Sequence, residues 1–402
     1  MKQKVCVLGL GYIGLPTACL MADNSLDVCG VDINEQVLLD IKNCKVDINE
    51  PHLSSLLKKC LNKRNFNLRK TPIESDYFLI CTPTPIKFLK NKVEPDLSFV
   101  YIAIDNISKY LKNEDTIIIE STVPVGTTEQ ILKYVIKIRP DLTKIFVGYC
   151  PERVLPGNIL FELKNNTRIV GGVDHISTNR IADLYNKFVL GDILKTTSKV
   201  AEICKLAENA YRDVNIGFAN ELSLICKDKN INISEVISLT NHHPRVEILK
   251  PGIGVGGHCI PVDPWFLISD NYNKSNIMKA ARKVNTAKTN YIFKDVEKKI
   301  RFFLNKNKRL PLFSFLGVSY KANSNDIRGA PALQIIERIY EKFKNFYIVD
   351  PYVDQVLGIK TQKLNIALNG SDIIFMLVNH NDFKDVEKKM KKDSILIDYS
   401  FS

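Results

Sequence analysis

The chain has 402 residues, 45% of them hydrophobic and 25% charged, which describes a globular protein of two or three domains and excludes a disordered or fibrous one. Its formal charge of +12 comes from scattered lysines and one dense tract, KDVEKKMKK; this is either a solvated lysine-rich surface or the mark of a polyanionic small-molecule substrate. No basic stripe interleaves with aromatics and no apolar stretch reaches the length of a membrane span, which argues against nucleic acid and membrane as partners.

Residues 4–9, KVCVLG, read as a short buried strand, and those from Gly14 onward as a helix with Leu15, Ala18, Cys19 and Ala22 inward. Between them lies Gly9-Leu10-Gly11-Tyr12-Ile13-Gly14, and a second strand over 26–31 ends at Asp32. This is G-x-G-x-x-G with a strand before it and a helix after it. The first glycine permits the tight turn and the second lets a pyrophosphate approach the backbone. The third lets helix and strand pack closely, with the helix N-terminus facing the phosphates. Asp32 is placed to bind the adenosine ribose diol and repel a 2′-phosphate, so NAD rather than NADP is the expected cofactor.

Strand-like runs over 77–81 and 116–120 end in Thr82-Pro83-Thr84-Pro85 and Ser121-Thr122-Val123-Pro124. Hydroxyls and prolines are expected at the C-terminal edge of a parallel sheet, where a cofactor lies. Thr122 is therefore a cofactor contact or the cap of a helix starting near Gly126. A further strand over 145–149 runs into Cys150-Pro151-Glu152-Arg153-Val154-Leu155-Pro156-Gly157. Glu152 is either an active-site carboxylate or the partner of Arg153 or Arg168 in a loop salt bridge.

From 198 to about 228 the pattern is helical, with apolar residues on more than one stripe, as in a long central helix buried on several sides and linking domains or subunits. Lys205 and Asn209 share one face at i, i+4. Lys205 sits amid Ile203, Cys204, Leu206 and Ala207, and is either functional or snorkelling to solvent. The stretch 249–266, LKPGIGVGGHCIPVDPWF, then brings Gly252, Gly254, Gly256 and Gly257 together ahead of His258, Cys259 and Asp263. A thiol at the end of a glycine loop suggests a nucleophile facing a ligand; the alternative is a surface turn with an inert cysteine. A second helix follows over 276–299, and the polar run Asn305-Lys306-Asn307-Lys308 reads as a linker. Beyond it, strand-like runs over 313–317, 346–350, 372–378 and 394–398 alternate with helical ones as a second, smaller Rossmann-like unit. The fold class is α/β, with two doubly wound parallel-sheet domains, 1–196 and 305–402, joined by a central helical domain, 197–304.

None of the ten cysteines forms a C-x-x-C pair and most lie in apolar runs, among them Cys6, Cys29, Cys81, Cys204 and Cys226. That is thiol usage of a reducing compartment, with neither a disulfide framework nor metal-ligand spacing. The N-terminal lysines and apolar run imitate a signal peptide, but the fixed glycine spacing argues against one, and a cytoplasmic location is expected.

Taken jointly, GLGYIGLP, ESTVPVGTT, YCPERVLPG, KLAENAYRDVNIGFANE, PGIGVGGHCIPVDPW and GVSYKANSNDIRGAPA resemble the UDP-glucose/GDP-mannose dehydrogenase family, in its order and over nearly the whole chain. Within it, the HPRV run and the glycine–cysteine loop are most similar to the UDP-N-acetyl-D-mannosamine branch, with UDP-N-acetylglucosamine 6-dehydrogenases close behind. The resemblance implies a four-electron oxidation of a UDP-sugar's primary alcohol to a carboxylate with two NAD. Cys259 would hold the aldehyde as a thiohemiacetal and then a thioester. Lys205 and Asn209 would stabilise the alkoxide and the oxyanion, and Asp263, helped by Glu152, would accept a proton or position water. Beside the Gly9–Gly14 segment with Tyr12 and Ile13, the cofactor contacts implied are Asp32, Thr84, Thr122 and Arg328. The nucleotide-sugar would meet Arg153, Leu155, Lys205, Asn209, Arg212, Gly252, Gly256, Gly257, His258 and Lys321, the glycine loop supplying N–H groups. Arg245 resembles an arginine that crosses to a neighbouring subunit's site, which implies at least a homodimer. One departure stands out: the UDP-glucose branch has a second glutamate where this chain has Pro156. A two-electron dehydrogenase of a small hydroxy acid would need no thiol and no second Rossmann unit. A non-catalytic sensor would not need Cys259, Lys205, Asn209 and Asp263 together.

Overall fold

The computed structural model describes residues 2–46, 48, 50–89, 93–155 and 157–400. The chain divides into two compact units, residues 1–208 with 265–270 and residues 209–264 with 271–402. Pro156, the departure noted above, lies outside the described residues.

The first unit carries strands β1 (Lys4–Leu8), β2 (Asp27–Val31), β3 (Phe66–Arg69), β4 (Tyr77–Ile80), β5 (Ile86–Phe88), β6 (Val93–Pro95), β7 (Thr116–Ile119), β8 (Phe146–Tyr149), β9 (Arg168–Gly172) and β10 (Ile193–Thr197). Among the described residues, all but the β5–β6 hairpin join one eight-stranded sheet, in the order β10-β9-β8-β7-β4-β1-β2-β3. Its neighbours are parallel except β8 and β9. The central strands read as unbroken apolar runs because both faces are covered. Val5 and Val7 pack with the helix Gly14–Asp23 on one side, while Cys6 and Leu8 enter the core on the other. The expected strands at 4–9, 26–31, 77–81, 116–120 and 145–149 all form, trimmed at their ends. β3 and β10 escape a search for apolar runs because the outer strands of the sheet mix polar residues into their faces, as ILKTT does in β10, and β9 escapes it because RIVGG offers only two adjacent apolar side chains.

The second unit holds strands β11 (Phe313–Leu316), β12 (Phe346–Val349), β13 (Gln355–Val356), β14 (Ile359–Lys360), β15 (Ile373–Met376) and β16 (Ile395–Asp398). β13 and β14 form a small hairpin, and the other four make a parallel sheet in the order β12-β11-β15-β16. Phe313, Phe315 and Phe375 pack there against the helices Asn276–Asn307 and Pro331–Lys342. Pro331 opens its helix at the position where a missing N–H costs nothing.

Two expectations need correction. Residues 305–307 are not a linker: the helix runs to Asn307 and ends at Lys308, whose φ of 54 is left-handed. Asparagine and lysine are compatible with a helix, so a polar run marks a solvated last turn as readily as a break. The long helix forms as read, Ser198–Asp228, yet it is not buried on several sides within the chain. Ile203 (45%), Tyr211 (63%), Phe218 (54%) and Ile225 (51%) remain exposed.

Candidate active site

The strand order of the first unit reverses between β1 and β4, the switch point where open α/β sheets bind ligands beyond their C-terminal strand ends. The glycines divide the work there. Gly9 has φ +92, and a Cβ on it would lie 2.6 Å from the Cys81 carbonyl oxygen. A Cβ on Gly14 would lie 1.9 Å from the Gly9 carbonyl oxygen, so the helix can start this close only from glycine. A Cβ on Gly11 would meet nothing within 4 Å, leaving its outer side open to a ligand. Tyr12 packs on the core, and Ile13 is the residue preceding the helix. Asp32 accepts from Leu10 N (3.0 Å) and Asn34 N (2.9 Å), which fixes its carboxylate at the end of β2. Thr84 and Thr122 are half-buried after β4 and β7. Next to them the Thr82 hydroxyl is buried without a protein partner. An open cradle at Gly11, a carboxylate at the second strand's end and an orphaned hydroxyl fit a dinucleotide.

Thr122 does not cap the helix Thr127–Ile138. That duty falls to Glu202, which accepts from Gly126 N, Thr128 N (2.8 Å) and the Thr128 hydroxyl (2.6 Å). One turn on, Lys205 is buried, not snorkelling: its Nζ lies 2.6 Å from Glu152 Oε1 and 2.8 Å from the Glu152 carbonyl oxygen. Of the salt bridges considered for Glu152, neither is what forms; Arg153 pairs with Glu208 (2.7 Å) and Arg168 with Glu120 (3.0 Å). Burial pushes the Glu152 carboxyl up, but the Lys205 ammonium and its hydrogen bond outweigh this and hold it below its ordinary range. Beneath lies a second buried pair. Glu120 binds Arg168, accepts from the Tyr185 hydroxyl and meets Cys81 Sγ at 3.2 Å. Burial raises the Glu120 carboxyl against the pull of Arg168. Leu155 is exposed, its N–H donating to Glu162.

In the second unit, Asn209 Nδ2 donates to Asp263 Oδ2 at 2.5 Å. The Cys259 carbonyl accepts from Asp263 N (2.8 Å) and Val262 N (3.0 Å), so one turn carries both the thiol and the carboxylate. Cys259 is half-buried. The glycine loop is only partly as expected. Two of its N–H groups cannot face a ligand, because Gly252 N–H goes to Asn220 Oδ1 (2.9 Å) and Gly257 N–H to the Arg328 carbonyl (3.1 Å). Gly254 and Gly256 are there for closeness, since a Cβ on either would fall 2.1 Å from Thr289 Oγ1 or 2.6 Å from Pro331 Cδ. His258 Nδ1 stands 3.9 Å from Asp326, whose carboxylate also grips Arg328. Arg212 and Arg245 are exposed. A cavity of about 340 Å³ opens at the β11/β15 switch point of the smaller sheet, lined among others by Lys250, Gly252, Gly254, Tyr320, Lys321 and Asn379. Two lysines and a tyrosine suit a phosphorylated, aromatic ligand. Among the described residues no cluster could hold a metal ion, and no helix is long and apolar enough to cross a membrane.

Residues 3–189 match the NAD binding domain of the UDP-glucose/GDP-mannose dehydrogenase family, 199–287 its central domain and 314–400 its UDP binding domain. The chain belongs to this family. As a member it is an NAD-dependent nucleotide-sugar dehydrogenase. The UDP-N-acetyl-D-mannosamine dehydrogenase of Campylobacter jejuni is 41% identical, over 96% of this chain and 97% of the relative. The NDP-N-acetyl-D-galactosaminuronic acid dehydrogenase of Ralstonia nicotianae is 40% identical, over 98% and 95%. Among solved structures, the UDP-D-ManNAc dehydrogenase of Pyrococcus horikoshii superposes with a TM-score of 0.89 at 36% identity, covering 99% of this chain and 95% of that one.

Within this nucleotide-sugar dehydrogenase, Glu120, Glu202 and Asn220 were not among the residues picked out from sequence. Each is a buried polar group whose partners are distant in the chain. Only Glu202 carried a usable signal, lying one turn before Lys205 inside an apolar run.

Proposed function

We propose that the chain oxidises UDP-N-acetyl-D-mannosamine to UDP-N-acetyl-D-mannosaminuronate, residues 1–196 holding NAD and 305–402 the UDP moiety. One arrangement carries most of the support: within the second unit, Asn209 holds Asp263 on the turn of Cys259. Taking a primary alcohol to a carboxylate removes four electrons; Gly11 and Asp32 at the β1/β4 edge would hold NAD, which when bound would supply the electron acceptor for each of two two-electron rounds. The chain's residues do the rest. Lys205, paired with Glu152, faces the alkoxide charge of the first oxidation. The Cys259 thiolate adds to the aldehyde carbon, forming a C–S bond and a thiohemiacetal. The second oxidation leaves a thioester. Water attacks it, breaking the C–S bond and returning the thiolate, with Asp263 taking the water's proton and Asn209 donating to the oxyanion. Glu152, the partner of Lys205, assists as a further carboxylate, in the absence of a second glutamate at position 156.

We also propose a homodimer or higher homo-oligomer, formed on the exposed apolar stripe of the helix Ser198–Asp228, with Arg245 reaching the neighbouring site. A cytoplasmic location accords with ten cysteines none of which is in a disulfide.

The test is NADH formed per UDP-N-acetylmannosamine consumed at limiting sugar, wild type beside Cys259→Ala, with the gluco and galacto epimers in parallel. Two NADH per sugar, lost in the variant, is the expected result. Faster turnover of another epimer would replace the substrate and keep the chemistry. One NADH per sugar, unaffected by the substitution, would overturn the covalent route.

A further inference from the structure

The backbone leading into the glycine loop is held by side-chain amides in place of neighbouring strands. In an extended segment, successive residues present their N–H and C=O to opposite edges. Residues 247–249 do so, and each edge meets one asparagine. On one side Ile248 donates to Asn241 Oδ1 (2.8 Å) and accepts from Asn241 Nδ2 (3.0 Å). On the other, Leu249 donates to Asn215 Oδ1 (3.0 Å) and the Glu247 carbonyl accepts from Asn215 Nδ2 (2.7 Å). Three residues on, the Gly252 N–H enters a buried chain of amides. Asn220 Oδ1 receives it, Asn220 Nδ2 donates to Asn285 Oδ1 (2.9 Å), and Asn285 Nδ2 donates to Asp213 Oδ1 (2.8 Å). Arg282 pairs with that same oxygen at 2.9 Å.

The chain has a direction. A carboxylate only accepts, so Asn285 must present its amide nitrogen to Asp213 and its oxygen to Asn220. Asn220 must in turn present its nitrogen to Asn285 and its oxygen to Gly252. The far end of the loop is fixed as well, by the Gly257 N–H on the Arg328 carbonyl, and no side chain fits at Gly254 or Gly256 between them. Cys259 follows two residues after that second fixed point.

We propose that Asn220 is a positioning residue: the Asp213–Asn285–Asn220 chain sets the entry of the glycine loop and thereby shapes the nucleotide-sugar cavity that Gly252 and Gly254 line. The part that concerns turnover rests on the function proposed above; the holding of the loop does not.

Two readouts test it on the full-length enzyme. Asn220→Leu keeps the helix packed and strips the Gly252 N–H of its acceptor. Amide exchange in the 247–257 segment should rise, and KM for the UDP-sugar should rise about tenfold, the weight of one hydrogen bond, with KM for NAD within about twofold of wild type. Asn220→Asp should do the same, because its second oxygen would face the Asn285 oxygen. Asn220→Asp keeps the volume of the side chain, so a merely space-filling Asn220 would leave both readouts at wild type in that variant. Unchanged exchange and unchanged KM in Asn220→Leu would overturn the proposal, and, if Asn220→Leu does not fold, so would unchanged exchange and KM in Asn220→Asp. If the wild type turns over no UDP-N-acetylhexosamine, the proposed function falls while the exchange measurement still decides the clamp.

Discussion

Glu202 offers the sharpest quantitative test of the first unit. Its carboxylate is wholly buried and answers three donors at the start of the helix Thr127–Ile138, which begins from a left-handed Gly126 with no side-chain cap of its own. Glu202→Ala orphans all three donors where water does not reach. At roughly 1.5–3 kcal/mol for each hydrogen bond to a charged group, less the relief of no longer burying an anion, the net loss is about 4 kcal/mol. Glu202→Gln keeps one accepting oxygen but turns an NH2 towards an N–H, so roughly half of that, about 2 kcal/mol, should be lost. Guanidinium denaturation reads the stability of the unit. A parallel NAD titration reads the edge, because Thr122 sits on the segment that Glu202 anchors. Both variants should weaken NAD binding, alanine more. A Glu202→Ala enzyme within about 1 kcal/mol of wild type, with unchanged NAD affinity, would refute the assigned role.

Three further outcomes follow from the same geometry. Asp213 is buried and pushed up to about 6, mainly by burial, with Arg282 and Asn285 opposing; a raised carboxyl contributes most below its unfolded value and loses that contribution as pH rises through 6. Wild type should therefore lose about 2 kcal/mol between pH 4 and 7 relative to Asp213→Asn; curves that separate on acidification instead, with wild type falling below the variant, would contradict this. Lys288 is buried on Ser223 Oγ (2.6 Å) and pushed down to about 8, by burial first and then by the Lys227 charge. A depressed lysine is penalised wherever it must be charged, so Lys288→Met should gain about 1–2 kcal/mol at pH 7 after the lost hydrogen bond, fading towards pH 10 in urea denaturation. The two glycines of the turn should also part company. Gly11→Ala should leave the melting temperature unchanged while NAD affinity falls about tenfold or more, and Gly14→Ala, with its Cβ on the Gly9 oxygen, should destabilise the unit outright. Equal behaviour of the two in thermal melts and NAD titrations would remove the distinction.

What the sequence disclosed and what it hid differ in kind. The Gly9–Gly14 turn, Asp32, the Lys205/Asn209 spacing and the Cys259–Asp263 turn are local patterns, set by backbone geometry over a few residues. The partners of those groups are not local. Glu152 reaches Lys205 across 53 positions and Glu202 reaches Thr128 across 74. Asn220 looks like any other polar helix residue until the loop it holds is known. The misjudged linker at 305–308 has the same root, since polarity reports exposure and says nothing about where backbone hydrogen bonding stops.

The long helix shows most clearly why pattern alone misled. At about 100° per residue, Glu202, Lys205, Asn209, Asp213 and Asn220 fall within a sector of about 80°, and all five are buried. Ile203, Tyr211, Phe218 and Ile225 occupy a similar sector on the far side and are exposed. The helix is amphipathic with the usual sense reversed, polar stripe inward and apolar stripe outward. Hydrophobic periodicity finds such a helix but, applied by rule, turns it the wrong way round. The inward stripe is tolerable only because each polar group has a fixed partner: Gly126 and Thr128 for Glu202, Glu152 for Lys205, Asp263 for Asn209, Arg282 for Asp213 and Gly252 for Asn220. The outward stripe would leave four large apolar side chains in water, an arrangement natural to a surface that a second copy covers. On the function and assembly proposed above, one helix would hold the catalytic groups on one face and present the subunit contact on the other. Substitutions at Tyr211 or Phe218 are accordingly the ones to expect to change assembly while leaving the buried pairs intact.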